Sequence, residues 1–143
     1  MPLVNNSSWT YIIKVYIAED DAFMREMLTK HLPDYCSGVE IVGSNGNGQV
    51  ALSECIELIP DLIILDISLP ELGGLEILCL VKAKFPQIRI LIYSGLADQQ
   101  SVEYTKCGKA DGYIMKNDGL EEIAKAIKAI EAGGTYFSCE IVS

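Results

Sequence analysis

Short apolar runs alternate with amphipathic stretches along most of this chain. Val15-Tyr16-Ile17-Ala18, Leu62-Ile63-Ile64-Leu65, Ile90-Leu91-Ile92-Tyr93 and Gly112-Tyr113-Ile114-Met115 are continuous rather than alternating. That pattern suits strands buried on both faces of a parallel sheet. The strands are expected over residues 12–18, 39–43, 61–66, 88–93 and 112–116. Between them, Phe23, Met24, Met27, Leu28 and Leu32 recur at helical spacing. They predict a first helix over 21–32, capped by Asp20 or Asp21 and stopped by Pro33. Further helices are expected over 49–58 and 75–84. A fourth, over 98–107, has only the weak apolar face of Val102, Tyr104 and Cys107, and a helix with little to bury suits movement or partner contact. The fifth, over 120–132, is the clearest: Leu120, Ile123, Ala124, Ile127 and Ile130 form its stripe and Gly133-Gly134 ends it. Strict alternation predicts an α/β fold, a doubly wound five-stranded parallel sheet with five helices. Residues 1–10, polar around Trp9, read as an N-terminal extension, 11–132 as one domain, and 133–143 as a tail or the start of a linker.

The residues that end these strands change the picture. Glu19-Asp20-Asp21 follows the first, Asp66 the third, Ser94 the fourth and Lys116 the fifth. In an open parallel sheet the carboxyl ends of the strands share one edge, where such folds bind ligands. Glu19, Asp20 and Asp66 are expected to converge there. Three neighbouring carboxylates repel, and a divalent cation resolves the repulsion; Mg2+ suits hard oxygen ligands and takes one or two protein carboxylates. Asp66 is then the candidate nucleophile for phosphoryl transfer, with Lys116 as a point charge on a phosphoryl oxygen and Ser94 as a hydroxyl donor. Blander readings stand beside each: helix-terminal acids for Glu19-Asp20-Asp21, a surface lysine for Lys116, a strand-end cap for Ser94.

Composition removes other classes. The chain has 143 residues and a net charge of −9, so direct nucleic-acid binding, which needs clustered Lys and Arg, is not expected. The longest apolar run, Ile77 to Val81, is far short of the roughly 18 residues a membrane span needs. Five scattered cysteines without a C-x-x-C pair point to reduced thiols in a cytoplasmic protein and away from zinc. His31, the single histidine, reads as structural or surface.

Taken in order, Glu19-Asp20, Asp66 within Leu65-Asp66-Ile67-Ser68-Leu69-Pro70, Ser94, and Lys116 within Asp111-Gly112-Tyr113-Ile114-Met115-Lys116 resemble the response-regulator receiver domain of two-component signalling. The resemblance covers about 11–134. It implies the flavodoxin-like strand order 2-1-3-4-5, and phosphorylation of Asp66 by a sensor histidine kinase. It implies Mg2+ held by Glu19, Asp20, Asp66 and the backbone carbonyl of Ser68, stabilisation by Lys116 and Ser94, and a switch in which Ser94 moves and the Tyr113 ring turns inward. On this reading 11–132 is the receiver domain, a phosphoacceptor switch rather than an enzyme. Val39-Glu40-Ile41-Val42-Gly43, Asn47-Gly48, Ala51-Leu52 and Gly133-Gly134-Thr135-Tyr136-Phe137-Ser138 resemble the NarL-type branch. That branch implies a helix-turn-helix transcription output beyond this chain; a stand-alone receiver acting by contacts or in a phosphorelay is the alternative. A homodimer is implied through the face of the fourth helix, fifth strand and fifth helix, or through the first and fifth helices. Departures from the family pattern are Glu19 for the commoner Asp, Lys109 where Gly is usual, Asn117 where many relatives have Pro, and Gly95 for Ala. Rival classes are a flavodoxin-like cofactor carrier, a Mg2+-dependent phosphatase with an aspartyl intermediate, and a binding-only module.

Overall fold

The structure, a computed structural model, describes residues 12–95 and 109–138. In chain order its elements are β1 (Ile13–Ala18), α1 (Ala22–Tyr35), β2 (Val39–Asn45), α2 (Gly48–Leu58), β3 (Leu62–Asp66), α3 (Gly74–Lys84), β4 (Arg89–Ser94), β5 (Gly112–Met115), α4 (Leu120–Glu131) and β6 (Tyr136–Phe137). They form one sheet in the order β2-β1-β3-β4-β5-β6 with every pair parallel. The α/β class and the 2-1-3-4-5 order are as expected. The count differs: among the described residues there are six strands and four helices instead of five and five. The helix expected over 98–107 lies outside the described residues, as do the 1–10 extension and 139–143. The helix expected fifth is α4.

The sixth strand was invisible because two residues carry no periodicity. After the left-handed turn at Gly133 the chain runs back along the β5 edge. Tyr136 N donates to Asp111 O at 3.0 Å and Ser138 N to Tyr113 O at 2.9 Å, so two edge carbonyls are satisfied.

Strand alternation sorts the core into two layers. Val15, Ile17, Leu62, Ile64, Leu91 and Ile114 pack with Leu28 and Leu32 of α1 and Ile123, Ile127 and Ile130 of α4. Tyr16, Ala18, Ile63, Leu65, Ile90, Ile92 and Tyr113 pack on the opposite face with α2 and α3. Two first-helix expectations are corrected. Pro33 does not stop α1, which runs on to Tyr35; a proline in the last turn costs one helical hydrogen bond, and Cys36 N still donates to Leu32 O at 3.1 Å. Phe23 is not core but 75% exposed. At 3.6 residues per turn it lies about 140° around the helix from Leu28, off the buried stripe. Asp21 is the cap of α1, accepting from Phe23 N and Met24 N, and Asn47 caps α2 through Val50 N.

Two glycines permit close backbone approach next to the sheet's carboxyl edge. A β-carbon at Gly74 would lie 2.3 Å from Asp66 O, and one at Gly48 1.9 Å from Leu72 O. Gly74 N donates to Ile67 O at 3.1 Å and Gly48 N to Pro70 O at 3.0 Å. These contacts clamp the 67–73 loop that follows Asp66. Within the described residues no helix is long and apolar enough to cross a membrane.

Candidate functional site

Three charged side chains meet at the carboxyl edge. Glu19 lies one residue past β1, Asp66 ends β3, and Lys116 lies one residue past β5. Each continues the alternation of the α1 and α4 face: Val15, Ile17, then Glu19; Leu62, Ile64, then Asp66; Ile114, then Lys116. β1 and β3 are neighbours, with Ala18 paired to Leu65. β4 separates β3 from β5, and the lysine spans its end, its Nζ 5.9 Å from the centroid of the Tyr93 ring. Lys116 Nζ donates to Glu19 Oε2 at 2.8 Å and to Asp66 Oδ2 at 3.1 Å. Its backbone is fixed as well: Lys116 N donates to Ser94 O at 2.7 Å, and the Tyr93 hydroxyl donates to Lys116 O at 3.3 Å.

The two carboxylates are both buried but differently served. Asp66 Oδ1 accepts from Ser68 N at 3.0 Å and Ser68 Oγ at 3.1 Å, while Oδ2 takes the ammonium. Burial alone would raise its pKa; the Ser68 amide and the Lys116 charge outweigh that and hold it below the usual aspartate value. Glu19 Oε2 accepts from Lys116 and from Asp21 N at 2.9 Å. Its Oε1 is buried with no hydrogen-bond partner. Burial dominates here, against the Lys116 and Asp21 hydrogen bonds, and with the nearby Asp66 charge it pushes the Glu19 carboxyl up. Burial likewise opposes the charge on Lys116, but Glu19 and Asp66 prevail and raise its pKa. Two carboxylates against one ammonium leave a buried deficit of positive charge.

That deficit fits a hard cation. An orphaned, buried carboxylate oxygen beside a second carboxylate is a donor set that Mg2+ accepts, with water completing its shell. Asp20, the next residue along the loop, is exposed. Among the described residues no three His, Cys, Asp or Glu side chains are gathered into one metal-binding group. Lys116, rather than Asp20, lies between Glu19 and Asp66. Ser68 is exposed in the turn after Asp66. Ser94 ends β4 fully buried, but it follows Ile90 and Ile92 in alternation, toward α2 and α3. Tyr113 pairs with Ile92, and its ring is already completely buried.

Two contributors were missed from the sequence. Gly74 lets α3 start against the Asp66 carbonyl, and its one signal is its place in Gly73-Gly74 ahead of an apolar helix. Tyr93 supports the lysine from below; its hydroxyl is held protonated up to about 12, by burial first and then by the Glu19 and Asp118 charges.

The sequence profile of the family described as "Response regulator receiver domain" matches residues 15–128. The response regulator protein VraR of Staphylococcus aureus is 28% identical over 130 residues, which are 91% of this chain and 62% of VraR. The chain therefore spans about three-fifths of the length of the curated relatives it matches. Among solved structures, a DNA-binding response regulator of the LuxR family from Staphylococcus aureus superposes with a TM-score of 0.78 at 26% identity, covering 82% of this chain and 97% of that one. A two-component response regulator of the LuxR family from Aurantimonas sp. SI85-9A1 gives 0.82 at 25% identity, covering 89% and 90%.

Proposed function

This chain belongs to the response-regulator receiver domain family, and from that premise we propose that it takes a phosphoryl group on Asp66 from the phosphohistidine of a sensor histidine kinase. The observation that carries this reading is the buried pairing of Asp66 and Glu19 around Lys116, with one Glu19 oxygen left without a partner. A carboxylate that only stabilised the fold would be fully paired.

The chemistry is an in-line displacement. One Asp66 carboxylate oxygen attacks phosphorus, the P–N bond breaks, and the electron pair leaves on the imidazole nitrogen. Because such transfer is mostly positioning and charge neutralisation, the lowered pKa of Asp66 is apt: the nucleophile is ionised at neutral pH without a general base. Ser68 N fixes the direction of its Oδ1. The Lys116 ammonium, 3.1 Å from Oδ2, moves onto a phosphoryl oxygen as the aspartate charge is consumed. Ser94 supplies a hydroxyl donor from the end of β4. When bound by Glu19, Asp20, Asp66 and the Ser68 carbonyl oxygen, Mg2+ supplies the remaining positive charge on the phosphoryl oxygens.

Phosphorylation shifts the population of the β5 and α4 face, through Ser94 and the buried Tyr113. The Tyr113 ring is buried, and in this reading the phosphoryl group stabilises its inward position. In this reading 11–132 is the receiver, and 133–143 leads toward a helix-turn-helix transcription output; the DNA-binding relative supports that branch. The protein acts in the cytoplasm as a phosphoacceptor switch, with homodimers forming through the β5–α4 face or through α1 and α4.

Acetyl phosphate with Mg2+ tests the assignment. The wild type is expected to shift in a phosphate-retarding gel, and Asp66→Asn to stay unshifted. Full modification of that variant overturns it.

A further inference from the structure

A second basic residue reaches the acidic loop, from outside the cluster already described. Arg25 lies in the first turn and a half of α1, where the bland reading is a solvated helix arginine. Its guanidinium instead folds back: Nη1 donates to the backbone carbonyl of Glu19 at 2.7 Å and stands 3.4 Å from that of Asp20. These are the carbonyls of the two residues whose side chains are assigned to the cation. The same loop is tied to β2 by Glu19 N donating to Asn45 O at 3.1 Å.

The space for the guanidinium is made by an absent side chain. A β-carbon at Gly46 would stand 2.6 Å from Arg25 Nη1, 3.2 Å from Glu19 O and 3.4 Å from Asp20 O. It would thus fall where the arginine meets both carbonyls. Gly46 is not among the residues with positive φ, so its backbone conformation does not demand glycine; a side chain there would instead push Arg25 Nη1 aside and crowd the Glu19 carbonyl. A half-buried cation with several donors also offsets, through the carbonyl dipoles, part of the crowding of negative charge in this loop.

We propose that Arg25 is a positioning residue: by gripping the Glu19 and Asp20 carbonyls in the notch left by Gly46, it sets the acidic loop in the geometry that receives Mg2+. This deepens the phosphoacceptor reading and rests on it for the identity of the cation. The arginine touches neither the cation nor the phosphoryl group; it acts through the backbone.

The test uses the full chain and three variants, Arg25→Gln, Arg25→Lys and Gly46→Ala, with two readouts. The first is calorimetric titration with Mg2+ alone. The second is hydrogen exchange of the Asp21 amide, whose donation to Glu19 Oε2 reports whether that carboxylate is held. Arg25→Gln is expected to weaken Mg2+ binding about tenfold and to speed Asp21 exchange by a similar factor, while the melting temperature moves by only a few degrees. Arg25→Lys, which can reach one carbonyl, is expected to recover part of both. Gly46→Ala is expected to reproduce Arg25→Gln, and the double variant to be no worse than either single one, because both break the same contact. Unchanged exchange and unchanged Mg2+ affinity in Arg25→Gln overturn the proposal, as does a Gly46→Ala effect that adds in full to it. A wild type that binds no Mg2+ defeats the phosphoacceptor reading instead, and the exchange of Asp21 still decides whether the arginine holds the loop.

Discussion

The sheet carries a lysine–carboxylate contact at each end, and the two are built to opposite specifications. At the amino edge Lys82, near the end of α3, meets Asp111 just before β5 at 2.8 Å. Every charge there is matched. The Lys82 ammonium also donates to Ile88 O at 2.7 Å, and Asp111 Oδ2 also accepts from Ile90 N at 2.8 Å. The pair sews the α3–β4 connection to the entry of β5. At the carboxyl edge one ammonium serves two carboxylates, one carboxylate oxygen goes without a partner, and the Glu19 carboxyl is pushed toward its neutral form. A half-buried pair whose charges are matched holds the fold together. A buried group with a lone pair to spare and a charge to lose is ready for a ligand, and keeping it so destabilises the empty protein.

The sharpest way to break this comparison is to delete each lysine. Lys116→Ala should cut the rate of phosphorylation by acetyl phosphate about 10²–10³-fold, or about 3–4 kcal/mol, by removing a preorganised charge at the transferring group. It should still unfold cooperatively. Lys82→Ala should do the reverse. Because both partners are mostly but not wholly buried, breaking the pair is expected to cost about 2 kcal/mol in urea denaturation, below the value for a fully buried pair. The Lys82 variant's phosphorylation rate, measured where it is folded, should be unchanged.

A subtler contrast has the opposite sign. A carboxyl whose folded pKa is raised contributes stability that is complete below its unfolded value, near 4.5, and is lost as pH rises through the folded value. Wild-type Glu19 therefore loses that contribution as pH rises. Glu19→Gln, which keeps the shape and removes the charge, should stabilise the Mg2+-free protein by about 1 kcal/mol at pH 7 and converge on the wild type under acid conditions, while weakening Mg2+ binding. Thermal unfolding from pH 4 to 8 checks this. The smallest effect concerns the loop into β5. Lys109 holds φ at +69°, a left-handed conformation that burdens a side chain but not glycine. Lys109→Gly should raise stability by about 0.5–1 kcal/mol and leave phosphorylation alone.

Much of this was legible in the sequence because the features are periodic. The four long apolar strands and the α4 stripe repeat a pattern often enough to identify themselves, and the groups ending the strands follow from the topology. The alternation that brings Glu19, Asp66 and Lys116 onto one face was also there to be read. What escaped were contacts made once. β6 is two residues long, Pro33 looked like a stop although only one helical hydrogen bond was at stake, and Phe23 matched a spacing while lying on the wrong side of the helix. Arg25 and Gly46 are twenty-one positions apart, and no local pattern announces that one makes room for the other.

The central claim is that the unsatisfied cluster at the carboxyl edge, and not the satisfied pair at the other, is the phosphoryl acceptor. Phosphorylation with acetyl phosphate and Mg2+, borohydride reduction of the acyl phosphate and mass spectrometry of the peptides locate the modified carboxylate directly. The account predicts reduction at Asp66 alone, dependent on Mg2+. Modification at Asp111 or any other carboxylate, with Asp66 intact, would contradict it.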